Sequence, residues 1–322
     1  MRSGAAAGHT GYFHEAAVYD SERELLDIAV PFVLGGVAAG EPTLVAFGGP
    51  HADLIRQATG GDSGIAYLAG GDMYARPAAA IAEYRRILTQ FVAEGAHQIR
   101  VIGELDASAF GATWDWWARY ESAINHAYDE FPLWSMCAYG TGTTPPDVLA
   151  DVLRTHPRTA DPDGGHTLSE TYVDPMSYLG EPRPVAVDPL LRQAPAWTLV
   201  DPTPAAVRQA VRTTAPPALS SADADLGGFL VAVSEGVTNA IRHGRGPVRV
   251  RLWISSHRMV LAVTDQGAGP KDPFAGLLPA PDADPGGLGL WLSHQLCDHV
   301  GMHRDASGFT IRLTVGDPDT DR

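Results

Sequence analysis

Ser234-Glu235-Gly236-Val237-Thr238-Asn239-Ala240-Ile241-Arg242-His243-Gly244 is the stretch on which the reading of this chain turns. Extended back to Leu226, it sets Leu226, Phe229, Leu230, Val233, Val237, Ala240 and Ile241 along one side of a helix at about 100° per residue. Glu235 and Asn239 stand one turn apart on roughly the opposite face. An isolated E-x-x-x-N is usually a solvated helix face. The same pair can serve a nucleotide, because the carboxylate can activate a hydroxyl or water and the amide oxygen can ligate Mg²⁺, a hard cation that prefers oxygen.

Two further features lie downstream. Asp265-Gln266-Gly267-Ala268-Gly269 follows a short apolar run directly. Alone, D-x-G-x-G is a turn at a strand end. With a ligand, its carboxylate accepts a hydrogen bond from a purine amino group, and its glycines let backbone approach a ring or phosphate. Gly286-Gly287-Leu288-Gly289-Leu290 opens a helical segment, where free N–H groups at a helix start attract an anion.

The surrounding pattern predicts strands over 197–200, 248–254, 259–264 and 309–315, and helices over 205–213, 223–243 and 289–297. Ser255-Ser256-His257-Arg258 reads as a hairpin loop. This is an α+β sandwich with helices on one face. The half before it alternates strands over 43–47, 65–68, 99–102 and 133–139 with helices over 22–39, 78–94 and 114–128. Such alternation implies an α/β domain with a mainly parallel sheet. Prolines crowd 181–217, so the chain divides near residue 185, between a domain at 9–160, a linker at 161–188 and a second domain at 189–317.

The 322 residues are 45% hydrophobic and 19% charged, enough apolar material for cores and too much for global disorder. A net charge of −15 disfavours non-specific binding to nucleic acid or anionic membranes. No apolar run approaches the ~18 residues of a membrane span, and the start lacks the pattern of a signal peptide, so the expected location is cytoplasmic. Cys137 and Cys297 form no C-x-x-C, so neither a zinc site nor a disulfide framework is suggested, and both are expected in cores. His294, His299 and His303 share no helical face and do not suggest a metal site.

Taken together in this order and spacing, the three C-terminal features resemble the GHKL ATPase superfamily and its Bergerat fold, over about residues 190–316. The branch they fit best contains the bacterial anti-sigma-factor serine kinases. Residues 234–244 look like its N-box, Val263–Gly269 like its G1 box and Gly287–Leu290 like its G2 box. The resemblance implies that ATP and Mg²⁺ are bound, with Glu235 as general base, Asn239 holding Mg²⁺ and Asp265 binding the adenine amino group. Gly267 and Gly269 would shape the purine pocket, Gly287, Leu288 and Gly289 the phosphate side, and 271–285 a lid. Lys271 is the lid's one cation, so phosphate contacts would come mostly from backbone and metal. His243 is expected to pack or hydrogen-bond. The prolines upstream of residue 190 leave no room for the phosphoacceptor hairpin of a two-component histidine kinase. Expected partners are a sigma factor or an anti-anti-sigma-like protein, with a homodimer left open. The alternative is a nucleotide-tuned module that sequesters such a regulator without transfer.

In the N-terminal half, Tyr12-Phe13-His14, Tyr19-Asp20, Ala29-Val30-Pro31-Phe32, Gly40-Glu41-Pro42, Gly103-Glu104-Leu105-Asp106 and Thr155-His156-Pro157 resemble the MEDS sensory domain, over about 9–160. That family's organisation looks like a relative of RecA-type folds, yet no G-x-x-x-x-G-K-[ST] is present. The resemblance implies a sensory role, and the fusion to a second domain leaves a small-molecule or a redox signal open. Candidate sensory ligands are His14, Tyr19, Glu104, Asp106 and Tyr139, set against the plainer reading of helix caps and satisfied core groups. Trp114, Trp116, Trp117 and Tyr120 read as core with one exposed ring.

Overall fold

The computed structural model describes residues 2–68, 76–183, 187–219, 226–279 and 288–316. The chain forms two compact units, one of Met1–Ala75 and Ala79–Leu179, the other of Arg76–Ala78 and Gly180–Arg322.

The first unit is α/β. Its strands are β1 (Phe13–Tyr19), β2 (Thr43–Ala46), β3 (Ile65–Tyr67), β4 (Ile99–Gly103), β5 (Leu133–Gly140), β6 (Arg158–Ala160) and β7 (His166–Leu168). They form one sheet in the order β3-β2-β4-β5-β1-β6-β7, parallel throughout except for the β6–β7 pair. The helices are α1 (Glu22–Ala38), α2 (Gly49–Ala58), α3 (Pro77–Ala93), α4 (Trp114–Ala127), α5 (Pro146–Thr155) and α6 (Pro175–Gly180). Helix α1 begins where the Ser21 hydroxyl accepts the Glu24 N–H and the Glu24 carboxylate reaches back to the Asp20 N–H, a capping arrangement that satisfies donors at the helix start.

Strand β1 was not legible as a strand, because His14 and Glu15 interrupt its apolar run. Both are fully buried, and Glu15 is satisfied from afar: it accepts the Trp134 indole N–H at 2.7 Å and faces the His166 Nδ1 at 2.9 Å. Trp114, Trp116, Trp117 and Tyr120 are all buried, which corrects the expectation of one exposed ring. Helix α4 is buried on most of its faces, Glu121 and Ser122 included. Cys297 is fully buried, but Cys137 is only partly so, against the expectation that both sit in cores.

The second unit is the α+β sandwich. Strands β8 (Trp197–Val200), β9 (Arg249–Ile254), β10 (Met259–Asp265), β11 (His299–Asp305) and β12 (Gly308–Val315) form an antiparallel sheet in the order β11-β12-β10-β9-β8. The 255–258 loop joins β9 to β10 with Ile254 opposite Met259. Strand β11 escaped the sequence pattern, being an edge strand with a glycine and charged residues. Helices α7 (Pro204–Thr214), α8 (Leu226–Arg242) and α9 (Gly289–Leu296) complete it. Residues 223–225 of the expected helix lie outside the described residues. Helix α8 packs on the sheet at Gly236, where a Cβ would make ordinary contact with Leu313, Ile311 and Val263 at 3.6–3.7 Å. On the opposite face, Leu190 packs with Trp253, Val260 and Ala262, and the Trp253 indole N–H donates to the Gln193 carbonyl at 3.0 Å. Among the described residues no helix is long and apolar enough to cross a membrane.

Candidate functional site

A cavity of about 220 Å³ opens between α8, the end of β10 and β12. Gly236, Asn239, Ala240, His243 and Gly244 line one side; Asp265, Gly269, Pro270, Leu290, Phe309 and Ile311 complete it. The helix reaches the cavity through the i, i+4 series Gly236, Ala240 and Gly244, which the sequence reading left out apart from Gly244's place at the helix end. His243 is exposed and borders the opening.

Asp265, at the end of β10, is 5% exposed. Its Oδ1 accepts the backbone N–H of Gly267 at 2.5 Å and of Arg245 at 3.1 Å. Among the described residues no protein donor engages its second oxygen, although the residue lines the cavity. Three glycines hold this arrangement. A Cβ on Gly267 would stand 2.6 Å from Asp265 Oδ1, and one on Gly244 would stand 2.5 Å from it. Gly269 has φ +79, in the left-handed region, and a Cβ there would meet the Phe309 ring at 2.5 Å.

Glu235 and Asn239 are half-buried on α8. They meet at the start of α9: a Cβ on Gly289 would lie 2.5 Å from Glu235 Oε2 and 3.3 Å from Asn239 Nδ2. Asn239 therefore links the cavity to the carboxylate, and Glu235 lies beside the cavity without lining it. Leu288 is exposed just before α9. Gly287, with residues 280–285 of the expected lid, lies outside the described residues.

In the first unit the expected ligands separate into two places and a cap. Tyr19 and Glu104 meet at the carboxyl ends of the parallel strands, joined by His51, whose Nδ1 lies 2.9 Å from Glu104 Oε2. Burial pushes the Glu104 carboxyl above its ordinary value, against the pull of His51. Burial and the Glu104 charge likewise raise the Tyr19 phenol. His51 was missed because it stands alone in α2. Asp106 is exposed and accepts the Ser108 N–H at 2.9 Å, capping the turn Ala107–Phe110. His14 lies toward the other end of β1, among Glu121, Cys137 and His156, and the Tyr139 hydroxyl donates to Glu121 Oε1 at 3.0 Å.

Comparison with known proteins accounts for both units. Residues 13–157 match the MEDS family, described as MEthanogen/methylotroph, DcmR Sensory domain, and residues 200–315 match the histidine kinase-like ATPase domain. The chain joins a MEDS domain to a histidine kinase-like ATPase domain. The ATPase domain resembles the serine-protein kinase RsbW of Bacillus licheniformis, 36% identical over 103 residues, which is 28% of this chain and 64% of the relative. RsbW of Halalkalibacterium halodurans is 33% identical over 101 residues, 28% of this chain and 62% of that protein. RsbW of Bacillus velezensis is 31% identical over 103 residues, with 28% and 64% covered. The match thus spans under two thirds of the length of these curated relatives.

Proposed function

We propose that the ATPase domain binds ATP and transfers its γ-phosphoryl group to a serine or threonine of a partner protein, in the manner of an anti-sigma-factor kinase, and that the MEDS domain senses the signal that governs it. The observation that carries this reading is the convergence of Glu235, Asn239 and Asp265 on one cavity and its rim.

The cavity fits the base of a nucleotide. Ala240, Leu290, Phe309 and Ile311 give it apolar walls, and the second oxygen of Asp265 supplies an acceptor for an exocyclic amino group. At about 220 Å³ it is smaller than the ~300–1,000 Å³ that encloses a whole drug-sized ligand. The triphosphate then extends toward the start of α9, where Glu235 and Asn239 meet. The Asn239 side-chain oxygen suits Mg²⁺, which when bound neutralises charge on the phosphates. Glu235 takes the proton from the partner's hydroxyl as its oxygen bonds to the γ-phosphorus, and ADP leaves with the electrons of the broken P–O bond. Partner candidates, by the kind of protein the relatives are, are a sigma factor and an anti-anti-sigma-like protein.

The test uses the full chain with labelled ATP, Mg²⁺ and purified anti-anti-sigma-like proteins. The expected result is label on a partner serine or threonine, lost in Glu235→Gln while ADP binding persists. Absence of nucleotide binding by the wild-type chain overturns the reading. Regulation in cells that survives Glu235→Gln would instead favour sequestration without transfer.

A further inference from the structure

Four side chains that could ligate a metal meet inside the first unit, away from the nucleotide cavity. They come from four elements: His14 from β1, Glu121 from α4, Cys137 from β5 and His156 from the end of α5. Their donor atoms all lie within 4.8 Å of one another. His14 Nε2 stands 3.4 Å from Cys137 Sγ and 3.8 Å from Glu121 Oε2, and His156 Nε2 stands 3.5 Å from the same carboxylate oxygen. Bonds of about 2.0–2.3 Å from one tetrahedral zinc place neighbouring donors roughly 3.3–3.8 Å apart. The His14–Cys137 and His156–Glu121 separations fall within that range, and the His14–Glu121 separation lies at its upper edge.

The surroundings fix which atoms can donate electrons. Asn125 Nδ2 donates to the carbonyls of Glu121, Ser122 and Thr155, so its Oδ1 is the atom turned to His14 Nδ1 at 3.0 Å. A carbonyl oxygen only accepts, so His14 carries its proton on Nδ1 and presents a lone pair from Nε2. His156 Nδ1 faces the Val152 carbonyl at 2.8 Å, which fixes the same tautomer there. Such outer partners orient metal-binding imidazoles. The Tyr139 hydroxyl occupies Glu121 Oε1 and leaves Oε2 toward the cluster. Among the described residues, Glu121 Oε2 and His156 Nε2 are buried with no hydrogen-bond partner. Orphaned polar atoms at this depth are costly, and here both point at the same spot.

We propose that His14, Glu121, Cys137 and His156 form a tetrahedral site for a divalent transition-metal ion of the zinc class. Two imidazoles, one thiolate and one carboxylate suit that class, whereas Mg²⁺ and Ca²⁺ take oxygen ligands. A dication resolves the convergence of lone pairs that the protein leaves open. Binding displaces the thiol proton, and any on the carboxyl, to solvent. The spacing rule for zinc motifs misses this site because each ligand comes from a different element, as far apart as His14 and His156.

The full chain is purified under reducing conditions, stripped with a chelator and reconstituted with Co²⁺, then with Zn²⁺. One metal per chain is expected, with a thiolate-to-cobalt charge-transfer band that Zn²⁺ abolishes. Cys137→Ser is expected to lose that band, and Asn125→Ala to weaken retention by roughly 10–100-fold. The wild-type spectrum and stoichiometry decide the matter if a variant does not fold. Failure of the wild-type chain to retain metal, or a bound-cobalt spectrum without the band or unchanged in Cys137→Ser, overturns the assignment. None of these readouts depends on nucleotide or kinase activity.

Discussion

Gly289 rests on Glu235: a Cβ at position 289 would stand 2.5 Å from the Glu235 carboxylate and 3.2 Å from its Cβ. Gly289→Ala is therefore expected to displace the carboxylate. A misplacement near 1 Å can cost about a hundredfold in rate, so phosphotransfer should fall by that order. Stability should change by about 1–3 kcal/mol, the usual cost of overpacking. Phosphotransfer assays beside thermal unfolding check this; unimpaired transfer would separate Gly289 from the chemistry.

Asp265 divides its oxygens between the fold and the cavity. Asp265→Asn keeps one carbonyl oxygen for the N–H groups of Gly267 and Arg245, so the unit should fold. It replaces the carboxylate that faces the cavity. A hydrogen bond to a charged group contributes about 1.5–3 kcal/mol, so ADP should bind roughly ten- to a hundredfold more weakly. Titration calorimetry measures this, and unchanged affinity would remove Asp265 from base recognition.

Glu41 and Arg100 form a buried pair in the MEDS domain, 2.7 Å apart, with Arg100 also over the Trp134 ring at 4.6 Å. Burial pushes the Glu41 carboxyl up, but hydrogen bonds from Arg100, Ser3 and Gln98 outweigh it and hold the group below its ordinary value. A depressed carboxyl contributes stability above its unfolded pKa of about 4.3 and loses it as pH falls through the folded value. Glu41→Ala should destabilise the domain by about 3–5 kcal/mol at neutral pH, with the gap to wild type narrowing in acid. Urea unfolding across pH would show whether it does.

Leu190 lies within a segment that the sequence reads as the start of the second domain. It is 6% exposed against Trp253, Val260 and Ala262. Leu190→Ala should cost about 2–5 kcal/mol, and a fragment beginning at residue 195 should be less stable than one beginning at 187. Denaturant midpoints of the fragments and the variant provide the comparison.

The architecture was legible wherever one face of an element is apolar. Helix α8 announced itself by period, and Asp265 by its place at the end of an apolar strand. The residues of the proposed nucleotide site lie close together along the chain in three recurrent patterns, so local spacing was enough to propose them. Phe309, Ile311 and Leu290 did not stand out, because a wall of a cavity and a wall of a core carry the same residues. The sequence singled out His14 and carried His156 in a motif, but their meeting with Glu121 and Cys137 left no local trace, since only the sheet order brings β1 beside β5. Strand β1 was hidden for a related reason: the polar side chains that serve tertiary partners break the apolar run that marks a buried strand.

That strand order sets a timetable for synthesis. Strand β1 emerges first but lies between β5 and β6, pairing Phe13 with Trp134 and Glu15 with Arg158. At about 5–20 residues per second on the ribosome, β1 waits on the order of ten seconds for its neighbours. Through that interval both of its edges are open to foreign strands. His14 and Glu15 break the apolar run of that waiting segment, the pattern by which gatekeeper residues interrupt unavoidable hydrophobic strands.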